Sequence, residues 1–233
     1  MLDRQYSFEN YFASSADLIV DSLKSLVMGK GESQLGLWGE ASSGKTHLLN
    51  ACARYAREAD ISLQIYDAAQ LIESDAMHFE GFEQCDVLAI DNLDAIAGIG
   101  VWEERFYQVM NRCRQGEFRF IFSLSVRPQQ LDCKLDDFRS RLFWGLLLQL
   151  PDNSEDDIRV IMQRRAALLG IDLSNDVISY LLNHHSRNLG SQMQILRLLD
   201  SASLLRQRRV TIPLVKQALA EQPPTTQAGL PAR

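Results

Sequence analysis

The segment Gly39-Glu40-Ala41-Ser42-Ser43-Gly44-Lys45-Thr46 constrains the fold of this chain more than any other. It is a complete GxxxxGK[ST] pattern, and that pattern works only where a strand gives way to a helix. There the backbone N–H groups at the helix start can converge on one phosphate. The flanks comply. An apolar run from Gln34 to Trp38 enters the loop, and a helical pattern runs from Lys45 to Ala59. The loop through Gly39, Ser42, Ser43 and Gly44 is expected to close its backbone around the β-phosphate. Lys45 would reach the terminal phosphates, and the Thr46 hydroxyl would complete the coordination of Mg²⁺.

The pattern around this loop is that of an α/β domain. From Gly36 to Leu150, short apolar runs alternate with helical stretches, as expected of parallel strands joined by crossover helices. Strands are predicted at Gln34–Trp38, Leu63–Tyr66, Val87–Ile90, Arg119–Ser125 and Leu146–Leu150, with a helix at Trp102–Arg114. After Pro151 only helical patterns remain, at Glu155–Leu168, Asn175–Asn183, Leu189–Arg206 and Ile212–Ala220. The reading is therefore a nucleotide-binding α/β domain over 1–151 with a parallel five-stranded sheet, then a small all-α lid domain over 152–221. A Pro-, Thr- and Gly-rich tail over 222–233 is expected to be disordered.

Val87-Leu88-Ala89-Ile90-Asp91 is an apolar strand ending in an acid, the arrangement that holds Mg²⁺ through a water in a Walker B element. Thr46 and Asp91 are thus the predicted metal-side groups. The next residue, Asn92, stands where many hydrolysing ATPases place a carboxylate to orient or deprotonate the attacking water. An amide cannot take that proton, so the chain's own hydrolysis is expected to be poor. Asp94 reads as a loop or helix-cap residue in preference to a substitute base.

Composition narrows the function classes. A net charge of −6 does not suit a chain whose main work is gripping phosphate backbones, so strong direct nucleic acid binding is not expected. Cys52, Cys85, Cys113 and Cys133 lie far apart without metal-ligand spacing and read as reduced thiols of a cytosolic protein. The N-terminal stretch has no apolar h-region, and the longest apolar run, near Leu146 to Leu148, is too short to cross a bilayer. A cytoplasmic location without membrane contact is expected.

Ile90-Asp91-Asn92-Leu93-Asp94-Ala95-Ile96-Ala97-Gly98, Trp102-Glu103-Glu104 and Phe138-Arg139-Ser140-Arg141-Leu142-Phe143-Trp144-Gly145, together with Val210-Thr211-Ile212-Pro213-Leu214-Val215-Lys216 near the end, carry a resemblance. Over nearly all of residues 6 to 220 the chain resembles the Hda family, AAA+ regulators related to the replication initiator DnaA. The resemblance implies an AAA+ module without DnaA's C-terminal DNA-binding domain. It further implies ADP or ATP with Mg²⁺ as ligands, and DnaA and the DNA polymerase III sliding clamp as partners. The implied function is regulatory inactivation of DnaA, a replication-inhibitor role. An ADP-bound protein on the DNA-loaded clamp stimulates hydrolysis of the ATP held by DnaA.

Under the resemblance Arg141 occupies the arginine-finger position and would act in trans. From the residues alone, Arg139 and Arg141 beside Asp136 and Asp137 read equally as a surface ion-pair cluster. Ser125, at the end of the predicted Arg119–Ser125 strand, is the candidate sensor 1 hydroxyl, with a satisfied strand-end hydroxyl as the alternative. Gly190 stands where the DnaA group places its sensor 2 arginine, with Arg187 nearby, which suits a protein resting with a diphosphate. Tyr6, Phe8, Tyr11 and Phe12 match the family's leading aromatic segment near the base, and equally suit plain core packing.

The clamp-binding peptide of the family is not seen in Met1 to Tyr6, which leaves two readings: Met1 is internal with the motif upstream, or clamp binding is weak or absent. The Gln227–Pro231 likeness to that peptide is faint. The competing functions are a self-hydrolysing AAA+ ATPase or helicase-loader-type factor, which would need an acid at Asn92, a nucleotide-metabolising P-loop enzyme, and a DNA-binding initiator. A trans-acting arginine also makes a homo-oligomer possible.

Overall fold

The computed structural model describes residues 6–12, 16–76, 79, 84–206 and 210–220. Met1 to Gln5 and the tail with Gln227–Pro231 lie outside the described residues, and the expectations placed on them with it. The chain divides into two compact units, Met1–Asn153 and Ser154–Arg233. The division falls just past the expected 151/152 boundary, where the Ser154 hydroxyl and the Asp157 carboxylate cap the first lid helix reciprocally.

The first unit carries α1 (Ala16–Val27), β1 (Gln34–Trp38), α2 (Lys45–Glu58), β2 (Leu63–Asp67), α3 (Ala68–Leu71), β3 (Val87–Asp91), α4 (Gly100–Arg114), β4 (Arg119–Leu124), α5 (Asp136–Arg141) and β5 (Leu146–Gln149). The strands form one five-stranded sheet in the order β2-β3-β4-β1-β5, and every adjacent pair is parallel. Strand β1 therefore runs between β4 and β5, so the loop leaving it opens at the carboxyl edge of the central strands, where α/β folds bind ligands.

The sheet separates two apolar layers by simple alternation. Leu88, Ile90, Phe120, Phe122 and Leu124 face Trp102, Phe106, Val109 and Met110 of α4. Val87, Ala89 and Ile121, with Leu35 and Leu37, face Ile19, Leu23 and Leu26 of α1 and Leu48, Leu49 and Cys52 of α2. All four cysteines are free thiols.

Three helices, α1, α3 and α5, were not read from the sequence. Helix α1 buries Ile19, Leu23, Leu26 and Val27, a helical spacing that its sequence carries openly. Helix α5 is too short for periodicity to declare. Strand β4 also stops at Leu124, so Ser125 lies beyond the sheet and not at its end as expected.

The second unit is all helical: α6 (Glu155–Leu168), α7 (Asn175–His184), α8 (Leu189–Arg206) and α9 (Ile212–Ala220). Met162, Ile178, Leu181, Leu196, Leu199 and Val215 make its own core. No helix among the described residues is long and apolar enough to cross a membrane.

Candidate nucleotide-binding site

The loop between β1 and α2 holds its shape with unusual backbone angles. Gly44 precedes α2 at φ +102, and a Cβ there would meet the Tyr11 ring at 2.7 Å. Ser42 also adopts a left-handed conformation, at φ 67. These angles turn successive N–H groups toward one concavity, the geometry of an anion nest. Lys45 folds back over the loop, its Nζ donating to the carbonyls of Gly39 and Glu40 at 2.7 Å each. Burial lowers the Lys45 pKa, while the charges of Asp91 and Asp94 pull it upward. The loop thus keeps a poised cation pinned at its own rim. The Ser43 hydroxyl is buried without a hydrogen-bond partner among the described residues, and Asn153 donates its amide to the Ser42 carbonyl at 3.3 Å.

Asp91 ends β3 facing this loop. Its Oδ2 accepts from the Thr46 hydroxyl at 2.5 Å, and its Oδ1 accepts from the Ser123 hydroxyl at 2.5 Å. The two expected metal-side groups are therefore in direct contact, and a carboxylate beside a hydroxyl suits a hard, oxygen-seeking cation such as Mg²⁺. Ser123 was not anticipated. It is the sole hydroxyl in the otherwise apolar β4 interior, fully buried and in register with Leu37 of β1, and that polar interruption was the available signal. It also accepts from the Asn92 backbone N–H at 2.9 Å, so one hydroxyl ties β4 to both residues of the β3 end.

Asn92 takes a left-handed conformation at φ 55, which asparagine tolerates better than most residues. Its side-chain amide donates to Asp67 Oδ1 at 3.2 Å. Ser125, by contrast, is exposed and remains apart from Asp91; its backbone N–H donates to Asp94 Oδ1 at 3.0 Å. Asp94 is a loop tie in this arrangement. In the leading aromatic segment Phe8 and Tyr11 are buried against α2, and Tyr6 meets His47 edge-on at 5.5 Å. Burial also pushes the Tyr11 phenol up to about 12.

The two arginines of α5 behave differently. Arg139 pairs with Asp136 within the helix. Arg141 makes no ion pair among the described residues; its guanidinium lies over the Trp144 ring at 3.3 Å and over the Tyr107 ring at 5.1 Å. Its Nη2 donates to the Tyr107 hydroxyl at 3.4 Å, and its main-chain carbonyl accepts from Gln34 Nε2 at 2.8 Å. This constellation sits beside β5, at the opposite edge of the sheet from β2. It is separate from the Thr46–Asp91 contact. In the helical unit, Gly190 lies in the first turn of α8, and Arg187 pairs with Glu155 at 3.2 Å.

A phosphate loop on β1, an acid on β3, a parallel sheet in this order and an appended all-helical unit define the chain as an AAA+ P-loop module with a helical lid. Residues 2–149 match the profile of the bacterial DnaA ATPase domain, and residues 155–219 match the lid domain of Hda. The chain belongs to the DnaA-related family that joins these two domains, the Hda family, and this places it among DnaA-related replication regulators.

A protein of Haemophilus influenzae, itself uncharacterised, is 30% identical over 221 residues, covering 91% of this chain and 93% of its own. Domain III of the Thermotoga maritima replication initiation protein DnaA shares the fold with a TM-score of 0.81 at 19% identity, over 95% of this chain and 98% of that one. AMPPCP-bound DnaA from Aquifex aeolicus gives a TM-score of 0.71 at 22% identity, over 85% of this chain and 66% of that chain.

Proposed function

We propose that this chain is a nucleotide-bound adaptor that resembles Hda in activity: with the DNA-loaded sliding clamp, it stimulates hydrolysis of the ATP held by DnaA, and Arg141 is the group it lends. The observation that carries this reading is the state of Arg141. Among the described residues it is a guanidinium without a carboxylate partner, beside the edge strand β5, while the neighbouring Arg139 is ion-paired. In phosphoryl transfer to water, a water oxygen bonds to the γ-phosphorus as the bond to the β,γ-bridging oxygen breaks. Charge on the equatorial oxygens is then stabilised by an arginine from outside the site.

The chain's own site supports binding more than turnover. Gly39, Ser42, Ser43 and Gly44 would wrap the phosphates of ADP or ATP, Lys45 would swing from the Gly39 and Glu40 carbonyls to the phosphate oxygens, and Thr46 with Asp91 would hold Mg²⁺. The ion would neutralise phosphate charge. At the next position Asn92 offers an amide already engaged by Asp67 in place of a base. With Gly190 at the lid position and Arg187 held by Glu155, the helical unit offers no arginine at the sensor 2 position, in keeping with a resident diphosphate.

The test is single-turnover hydrolysis of labelled ATP pre-bound to DnaA, with clamp-loaded DNA present, with and without this protein. Acceleration well above the chain's own turnover is the expected result. Steady turnover by this protein alone, without any effect on DnaA-bound ATP, would instead establish a self-hydrolysing ATPase.

A further inference from the structure

Trp144 is placed as a cation platform and not as core filling. Besides Arg141 at 3.3 Å, the guanidinium of Arg114, at the end of α4, lies over the same ring at 4.1 Å. Neither arginine has a carboxylate partner among the described residues, although two of their neighbours do: Arg112 pairs with Glu117 at 2.6 Å and Arg139 pairs with Asp136. Two like charges on one indole repel. The ring's negative face is what offsets that repulsion and holds both in place.

The main chain on either side of Trp144 is held at Gln34 of β1. Gly145 follows it so close to β1 that a Cβ would stand 2.0 Å from the Gln34 carbonyl oxygen, and the same Gln34 holds the Arg141 main chain through its side-chain amide. Arg141 Nε is buried without a hydrogen-bond partner among the described residues, so stacking, and not a full set of hydrogen bonds, fixes the guanidinium. A long, rotamer-rich side chain left free would have to be ordered during each encounter with a partner, and that ordering opposes a productive approach.

We infer that Trp144 is the positioning residue for Arg141: its indole face, on a main chain anchored at Gln34, holds the guanidinium in one place so that it meets a partner's phosphate already ordered. This rests on the reading of Arg141 as a trans-acting group. The platform acts on the maximal rate and not on how tightly the partner docks, because the indole touches the arginine and not the reacting atoms.

The test replaces Trp144 by Phe, Tyr and Leu in the full chain and measures stimulated hydrolysis of DnaA-bound ATP, with clamp-loaded DNA, as a function of the variant's concentration. Thermal unfolding of each variant is recorded alongside. The expected result is a plateau rate that falls in the order Trp, then Tyr and Phe, then Leu, by about tenfold at Leu, with the half-saturating concentration unchanged. The aromatic variants keep the series readable should Trp144→Leu fold poorly. A Leu variant that reaches the wild-type plateau, or a loss that appears only in the half-saturating concentration, would overturn the positioning role. Arg141→Ala, run in parallel, separates the two levels. Should wild type and Arg141→Ala behave alike, the trans-arginine reading itself fails, whereas loss at Arg141→Ala without loss at Trp144→Leu sinks only the platform.

Discussion

At the residue scale, the phosphate loop and the acid facing it were legible because each is a local pattern with a mechanical requirement, and the contact of Thr46 with Asp91 joins them. What the sequence did not carry was which hydroxyl of β4 faces Asp91. Ser123 and Ser125 share a strand face by alternation, and the choice depends on where the strand stops, a tertiary matter.

Removing the Lys45 ammonium with Lys45→Ala should weaken ADP binding by roughly ten- to a hundredfold, the usual worth of a charged hydrogen-bond donor. Titration calorimetry would read it, and unchanged affinity would mean that ADP does not use this loop. Asn92→Asp puts a second carboxylate against Asp67, where an amide now donates at 3.2 Å. Two acids at that distance raise each other's pKa above the unfolded values. The variant should therefore lose about 1 kcal/mol of stability at pH 7, and the deficit should vanish as the pH falls through the carboxylate range and one acid becomes a donor. Urea midpoints at pH 7 and pH 4 decide it; an equal deficit at both would show a steric cause.

At the scale of elements, β3 and β4 sort their residues to two layers by alternation; the strands were legible as short apolar runs, and the long helices other than α1 from their period. Short α5 was not, because its placement depends on a distant side chain. Glu103 of α4 is fully buried and accepts from the backbone N–H groups of Gly98 at 2.6 Å, Lys134 at 3.1 Å and Leu135 at 2.7 Å. One carboxylate thus ties the loop after β3 to the segment entering α5. Read in sequence, Glu103 was merely part of a family motif; its partners lie too far along the chain for spacing to reveal. Glu103→Ala should cost about 3 kcal/mol, from buried donors left without acceptors. Glu103→Gln, which keeps one carbonyl oxygen, should cost less. Denaturant unfolding would measure both, and a cost below about 1 kcal/mol for the alanine variant would mean that water replaces the carboxylate.

At the scale of the whole molecule, an α/β unit with the phosphate loop and a helical unit each have their own core, and the residues on which the proposed regulation rests are spread along the chain: Asn92 after β3, Gly190 in the helical unit, Arg141 beside β5. The change from strand to helix signals after Pro151 was legible in the sequence; the reciprocal cap at Ser154, where the second unit starts, was not read there. The separation of Arg139 from Arg141 was not, since both stand in one run of alternating charge and only the fold gives Arg141 an aromatic bed instead of an acid.

The central claim is that this chain contributes a guanidinium to a site it does not itself contain, and Arg141 tests it most directly. In single-turnover hydrolysis of DnaA-bound ATP with clamp-loaded DNA, Arg141→Ala should lower the stimulated rate by about a hundredfold or more, in line with other arginine fingers, while ADP binding by the variant stays at the wild-type level. Arg141→Lys should recover only a small part, because an ammonium cannot bond two equatorial oxygens as a planar fork does. Full stimulation by Arg141→Ala would contradict the account and return Arg141 to the surface of an ordinary nucleotide-binding domain.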